Sequence, residues 1–188
     1  MIHCTAEGRD HIGGCALIGN AIVIGGIPLP SDAPLFLAFI AVHIAAGLAC
    51  VISGAFAMLS PKQAGRHPKL GTVYYWALVV VSVTMTALSI SRWSEDYHLF
   101  ILGALSFLAA TVGRMARRRL WPSWPRLHMT GMGVSYILLI TAFYVDNGKN
   151  LPLWRELPQA AFWLVPAAIG APIPLNALLR HPLVRRWA

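Results

Sequence analysis

Five long stretches of mostly apolar residues alternate with short polar segments along the 188-residue chain. A helix that spans a membrane needs about 20 consecutive, mostly apolar residues. The pattern therefore predicts five transmembrane helices, at residues 35–59, 70–90, 97–112, 127–145 and 160–179. The first four predict a four-helix core. Prolines at positions 166, 172 and 174 predict that the fifth helix is kinked or broken.

The N-terminal region does not follow this pattern. Residues 12–27 are apolar, but they are few for a membrane span and include five glycines. We predict a poorly defined N-terminal segment over residues 1–34, with a sixth, poorly packed helix as the alternative, and a helical membrane domain over residues 35–188. Cys4, His11 and Cys15 do not have the spacing of a common zinc site.

The composition supports the same class of protein. Hydrophobic residues make up 57% of the chain and charged residues 12%, whereas a soluble domain has about 25% charged residues. The low charge excludes an ordinary soluble enzyme, and the high hydrophobicity excludes intrinsic disorder. The prediction is an all-α integral membrane bundle that is in contact with the lipid bilayer.

The charges are divided between the two sides of the predicted bundle. The net charge is +8, and eleven of the fifteen basic residues fall in three segments that share one side: 60–69, 113–126 and 180–188. All seven acidic residues fall on the other side. Basic segments stay in the cytoplasm, so we predict a cytoplasmic C-terminus. The basic excess indicates topology and attraction to anionic lipid, and no nucleic-acid partner is predicted.

Each of the first four predicted helices carries one histidine, and histidines within or at the ends of membrane spans are candidate functional residues. On the predicted topology, His43 and His98 belong to the outer half, and His67 and His128 to the inner half. Helices 1 and 3 lie diagonally across the centre of such a bundle, as do helices 2 and 4. Each pair could therefore supply two axial nitrogens to a b-type haem. The layout is similar to that of the two-haem transmembrane b-type cytochromes of the ascorbate-reducible class.

A single metal site is the alternative, because the outer histidines differ in predicted depth. His43 lies about 12 Å inside its helix, at about 1.5 Å per residue, while His98 lies only about 2–6 Å inside. A transition metal bound by His43, His98 and Asp146 would need less symmetry. Two imidazoles and one carboxylate are typical ligands of catalytic zinc or ferrous iron. Hydrogen-bonded structural histidines are the third interpretation.

Four motifs resemble those of a bacterial family of predicted multi-helix membrane proteins that is classed as a domain of unknown function. They are His43 with the glycines that follow it, residues 66–71 (RHPKLG), residues 128–136 (HMTGMGVSY), and residues 142–148 (AFYVDNG) with 151–154 (LPLW). The resemblance covers residues 35–186 and implies a helical protein of the bacterial inner membrane. It highlights His43, His67 and His128 but not His98, and it implies no particular activity.

Three classes of function follow from these features. The first is a redox or metal-binding membrane protein that uses the histidines with haem b or a single transition metal. The second is a structural or accessory subunit of a larger membrane complex, which small-residue stripes in the helices favour. The third is a small-molecule transporter or membrane enzyme with a histidine proton relay, which the interrupted fifth helix favours.

Overall fold

The computed structural model describes residues 23–24, 27–28, 34–61 and 65–180. The chain divides into two compact units, Met1–Leu37 and Ala38–Ala188. In the first unit, strand β1 (Val23–Ile24) pairs antiparallel with strand β2 (Ile27–Pro28). The remainder of the predicted N-terminal segment, including Cys4, His11 and Cys15, lies outside the described residues.

Helices make up nearly all of the rest of the described chain, so the predicted all-α fold is confirmed. In chain order they are α1 (Pro34–Leu59), α2 (Arg66–Ser91), α3 (Trp93–Arg119), α4 (Trp124–Asn147), α5 (Gln159–Gly170) and α6 (Pro172–Arg180). A short 3₁₀ turn, Gly148–Asn150, follows α4. Within the described residues, five segments are long and apolar enough to cross a membrane: α1 to α4, and α5 with α6 as the fifth. The chain is a helical bundle of the multi-pass membrane type.

Large apolar side chains cover the outward faces of these helices. This is the surface expected of helices in contact with lipid, because lipid tails are as apolar as the side chains themselves. Examples from the first three helices are Ile44, Leu48, Phe56, Val83 and Leu108.

Several helices are longer than the predicted spans, and the start of α2 and the end of α3 are two examples. Helix α2 begins at Arg66, before the predicted start at residue 70, so His67 is its second residue. Helix α3 continues to Arg119, although residues 113–119 were predicted to leave the membrane helix. The physical reason is the same at both ends. Charged residues and a proline in a terminal turn end the apolar span, but they need not end the helix.

A tight turn joins α3 to α4 and sets them antiparallel. Leu120 and Ser123 both adopt the left-handed conformation, with φ of 48° and 60°. The N–H of Trp121 donates to the carbonyl of Ala116 at 3.1 Å, which closes the end of α3. The carbonyl of Ser123 accepts from Arg126 at 3.0 Å, which opens α4. The turn brings Arg117 over the ring of Trp124 at 4.5 Å.

Glycines allow α3 and α4 to pack with their backbones close together. A Cβ added at Gly131 would lie 2.6 Å from the carbonyl oxygen of Ala109 and 3.0 Å from the Cα of Gly113. Neither atom belongs to a flexible side chain. Small residues at such crossings are typical of membrane helix pairs.

A buried polar cluster ties the centre of the bundle together. The hydroxyl of Tyr74 in α2 lies 2.7 Å from the Oγ of Ser135 in α4. Ser106 in α3 donates to the carbonyl of Ser135 at 2.8 Å. Tyr136 in α4 donates to the carbonyl of Val51 in α1 at 3.1 Å. These hydrogen bonds connect all four helices of the predicted core.

The fifth span is broken, as predicted, and the position of the break is Ala171. Pro166 lies inside α5 without ending it, whereas Pro172 is the first residue of α6. The N–H of Leu175 still donates to the carbonyl of Ala171 at 3.2 Å. Proline at the first helical position has no N–H to leave unpaired, so the two helices meet with little loss of hydrogen bonding.

Candidate functional site

Two of the four predicted histidines meet at the basic end of the bundle, the end formed by Leu59 of α1, Arg66 of α2, Arg119 of α3 and Trp124 of α4. The rings of His67 and His128 have their centroids 6.3 Å apart and their planes at 86°. The prediction paired these two residues across the bundle, and the structure brings them together.

Backbone carbonyls of neighbouring helices hold both rings. The Nδ1 of His67 lies 2.8 Å from the carbonyl oxygen of Ala57 in α1. The Nδ1 of His128 lies 3.1 Å from the carbonyl oxygen of Gly113 in α3. A carbonyl oxygen can only accept, so Nδ1 carries the proton in each ring. In the neutral imidazole, Nε2 is then the nitrogen with the lone pair, which is the usual arrangement of a metal-binding histidine.

Both histidines line a cavity of about 720 Å³, which we call the histidine cavity. Its volume lies within the range of about 300–1,000 Å³ that is common for small-molecule and cofactor sites. Side chains from α1, α2, α3, α4 and α6 form its walls, and most of them are apolar or small. Examples besides the histidines are Gly54, Met58, Gly71, Tyr74, Met132, Gly133, Tyr136 and Ile173.

The outer pair of histidines is not joined in the same way. The Nδ1 of His43 lies 2.9 Å from the Oγ1 of Thr84 in α2. Thr84 donates its own proton to the carbonyl of Val80 at 2.8 Å, so its oxygen accepts from His43. His98 instead contacts the ring of Trp163 in α5, with centroids 6.1 Å apart. The part of the chain that the structure describes contains no ring contact between His43 and His98.

Asp146 lies on the same side of the bundle as these two histidines and interacts electrostatically with both. Its Oδ2 also accepts from the side-chain amide of Asn147 at 3.1 Å. Even so, no three histidine, cysteine or acidic side chains of the described residues form a group that could hold a metal ion. The predicted set of His43, His98 and Asp146 is therefore not assembled as a three-ligand site, because His43 and His98 are held by different neighbours.

The polar end of α4 acts as a helix stop. The helix ends at Asn147, and Tyr144 stacks on Trp154 with centroids 3.9 Å apart.

A smaller cavity of about 210 Å³, lined in part by Tyr144 and Trp154, adjoins the histidine cavity. The two cavities share five lining residues: Met58, Gly133, Tyr136, Ile173 and Pro174.

Sequence reasoning missed several residues that shape the site. It gave no chemical role to Thr84, which holds His43, or to the carbonyls of Ala57 and Gly113. It treated Arg114, Arg117 and Arg118 only as topology signals, although all three line the histidine cavity. Their spacing of three and four residues, which places them on one helical face, was the signal that could have identified them.

Comparisons with models of known protein families, with curated proteins and with solved structures each give no match for this chain. The resemblance to a bacterial membrane-protein family stays a prediction.

Proposed function

We propose that this protein is a membrane b-type haem protein with a redox function, in which His67 and His128 are the two axial ligands. The observation that carries the proposal is the pair of neighbouring imidazoles, with ring centroids 6.3 Å apart, that line one largely apolar cavity. Because haem iron takes four ligands from the porphyrin, two protein side chains complete the site. A free metal ion would need three or four protein ligands, and no such group occurs among the described residues.

The spacing of the two rings fits one iron between them. A metal about 2.0 Å from each of two imidazole nitrogens places the ring centroids about 6 Å apart. The observed separation is 6.3 Å. The hydrogen bonds to Ala57 and Gly113 fix Nδ1 as the donor in both rings, so the same type of nitrogen, Nε2, is the ligand on each side.

The surroundings of the rings suit a large planar group. Gly71 leaves open space in the cavity wall, because a Cβ there would have no neighbour within 4 Å, and Met58 and Ile173 are apolar. Haem iron with two histidine ligands has no open coordination position, so its chemistry is one-electron transfer. The protein would fix the orientation of the two imidazole rings, exclude water from the iron and place the haem close to the basic end of the bundle.

The proposal includes an orientation. The histidine cavity lies at the end of the bundle that carries Arg66, Arg114 and Arg117. Because basic residues stay in the cytoplasm, the haem would lie in the cytoplasmic half of a bacterial inner membrane, with the C-terminus on the same side. Electrons would then pass to or from the cytoplasmic surface.

The experiment is to purify the full chain in mild detergent and to record oxidised and dithionite-reduced absorption spectra, with elemental analysis of the same sample. We expect a Soret band, sharp bands on reduction, and one iron per chain. A colourless protein from haem-sufficient cells, or one with stoichiometric zinc or copper and no haem, would contradict the proposal.

A further inference from the structure

The histidine cavity is apolar inside and cationic along one wall. Arg114, Arg117 and Arg118 of α3 line it, and its lining includes no Asp or Glu among the described residues. The site therefore suits a molecule that combines an apolar body with negatively charged groups. The axial histidines do not account for this wall, because they bind only the iron.

Aromatic rings hold two of these guanidinium groups in place. Arg114 lies over the ring of Tyr75 and Arg117 over the ring of Trp124, each 4.5 Å from the ring centroid. A ring face attracts a cation but does not neutralise its charge. The ion pairs found in the described ranges are Arg92–Glu95 and Arg155–Glu156, and neither involves a residue of the cavity. The arginines thus keep their charge for a ligand.

We infer that Arg114, Arg117 and Arg118 bind the carboxylates of the ligand that fills the histidine cavity. This inference rests on the proposed function, which makes those carboxylates the two propionates of haem b. A guanidinium group can bind a carboxylate through two parallel hydrogen bonds, so it fixes both position and orientation. An anionic lipid headgroup presents related chemistry and is the other source that the test must separate.

The test compares haem b with its dimethyl ester, in which both carboxylates are blocked. Haem-free full-length protein, in neutral detergent, is titrated with each compound. The proteins are the natural chain, the R117Q/R118Q double variant and R119Q. Arg119 is the matched control, because it is the next residue of the same helix but does not line the cavity. Circular dichroism and size-exclusion elution show whether each variant is folded.

We expect the natural chain and R119Q to bind the ester at least about tenfold more weakly than haem b, as loss of charge-assisted hydrogen bonds predicts. R117Q/R118Q should bind haem b about 10–100-fold more weakly and should lose most of the discrimination between the two compounds. If the haem-free protein does not stay folded, the rate of haem transfer from the loaded protein to apomyoglobin replaces the titration. The double variant should then lose haem faster than R119Q does.

The possible failures are distinguishable. A natural chain that binds neither compound overturns the proposed function and this inference with it. Equal binding of both compounds overturns the inference while the haem site stands. If R117Q/R118Q changes only binding to vesicles that contain phosphatidylglycerol, compared with neutral vesicles, the arginines bind lipid headgroups and the assignment to haem carboxylates is wrong.

Discussion

His43, His67 and His128 are each half-buried, and each donates its Nδ1 proton to an oxygen of a neighbouring helix. The three histidines differ in the surroundings of the imidazole ring. His67 and His128 lie 6.3 Å apart, centroid to centroid, and line the histidine cavity, whereas His43 packs against α2 through Thr84. The same hydrogen-bonding pattern therefore supports a ligand role for two of them and a structural role for the third.

On the proposed function, substituting either His67 or His128 should remove the haem. His67→Ala and His128→Ala would each leave the iron without one of its two protein ligands, so we expect the affinity for haem to fall at least about tenfold, which corresponds to about 1.4 kcal/mol, and the haem content per chain to fall with it. The pyridine haemochrome assay on purified protein measures this directly.

His43→Ala is the matched control for these variants. It removes a half-buried imidazole and one hydrogen bond, which costs about 1 kcal/mol, but no ligand, so haem content should stay near that of the natural chain. Loss of haem in His43→Ala with retention in His67→Ala would place the cofactor at the outer histidines instead.

At the scale of single residues, the sequence identified the histidines but not the atoms to which they hydrogen-bond. A histidine in or next to an apolar span stands out by its residue type alone. The carbonyls of Ala57 and Gly113 do not, because every residue has a carbonyl. Which of them accepts a hydrogen bond depends on how closely two helices approach.

At the scale of helices, the position of His128 depends on the crossing of α3 and α4. His128 lies one turn before Gly131 and bonds to the carbonyl of Gly113, and both glycines are at the crossing. The crossing therefore sets both the helix spacing and the ring position. The apolar pattern predicted these helices, but it placed the end of α3 too early. The arginines after residue 112 end the apolar stretch of the sequence, whereas the helix itself continues to Arg119.

Gly131→Ala should destabilise the protein. The new Cβ would meet backbone atoms of α3, one of them at 2.6 Å, so the two helices must move apart, which costs about 1–3 kcal/mol. Haem content should fall too, because His128 moves with α4. Thermal unfolding in detergent, followed by size-exclusion chromatography, measures the loss of stability.

Gly47→Ala provides the comparison for that variant, because a Cβ at Gly47 has no neighbour within 4 Å. It should leave the melting temperature equal to or slightly above that of the natural chain, since alanine favours helix over glycine. Equal destabilisation by both substitutions would show that the α3–α4 crossing is not the critical contact.

At the scale of the whole molecule, the histidine cavity lies at the end of the bundle where the basic residues are concentrated. The basic residues predicted one side of the membrane, and the structure places His67, His128 and the arginines of α3 at that same end. The sequence could not show that the basic segment also lines a cavity, because that requires α1, α2, α4 and α6 around one space.

The orientation leads to a prediction that reporter fusions can check. Green fluorescent protein fused after Ala188 should fluoresce, and alkaline phosphatase fused there should be inactive, because the C-terminus is proposed to be cytoplasmic. Fusions after Asn150 should give the reverse result. Active alkaline phosphatase at the C-terminus would contradict the orientation and place the haem in the outer half.

The most direct test of the haem site is the electron paramagnetic resonance spectrum of the oxidised, purified protein. Two histidine ligands whose ring planes are nearly perpendicular, as the 86° between His67 and His128 predicts, give a highly anisotropic low-spin ferric signal. We expect that signal at one spin per chain, and we expect it to disappear in His67→Ala and His128→Ala. A high-spin haem signal, or a low-spin signal that is unchanged in both variants, would contradict the assignment of these two histidines as axial ligands.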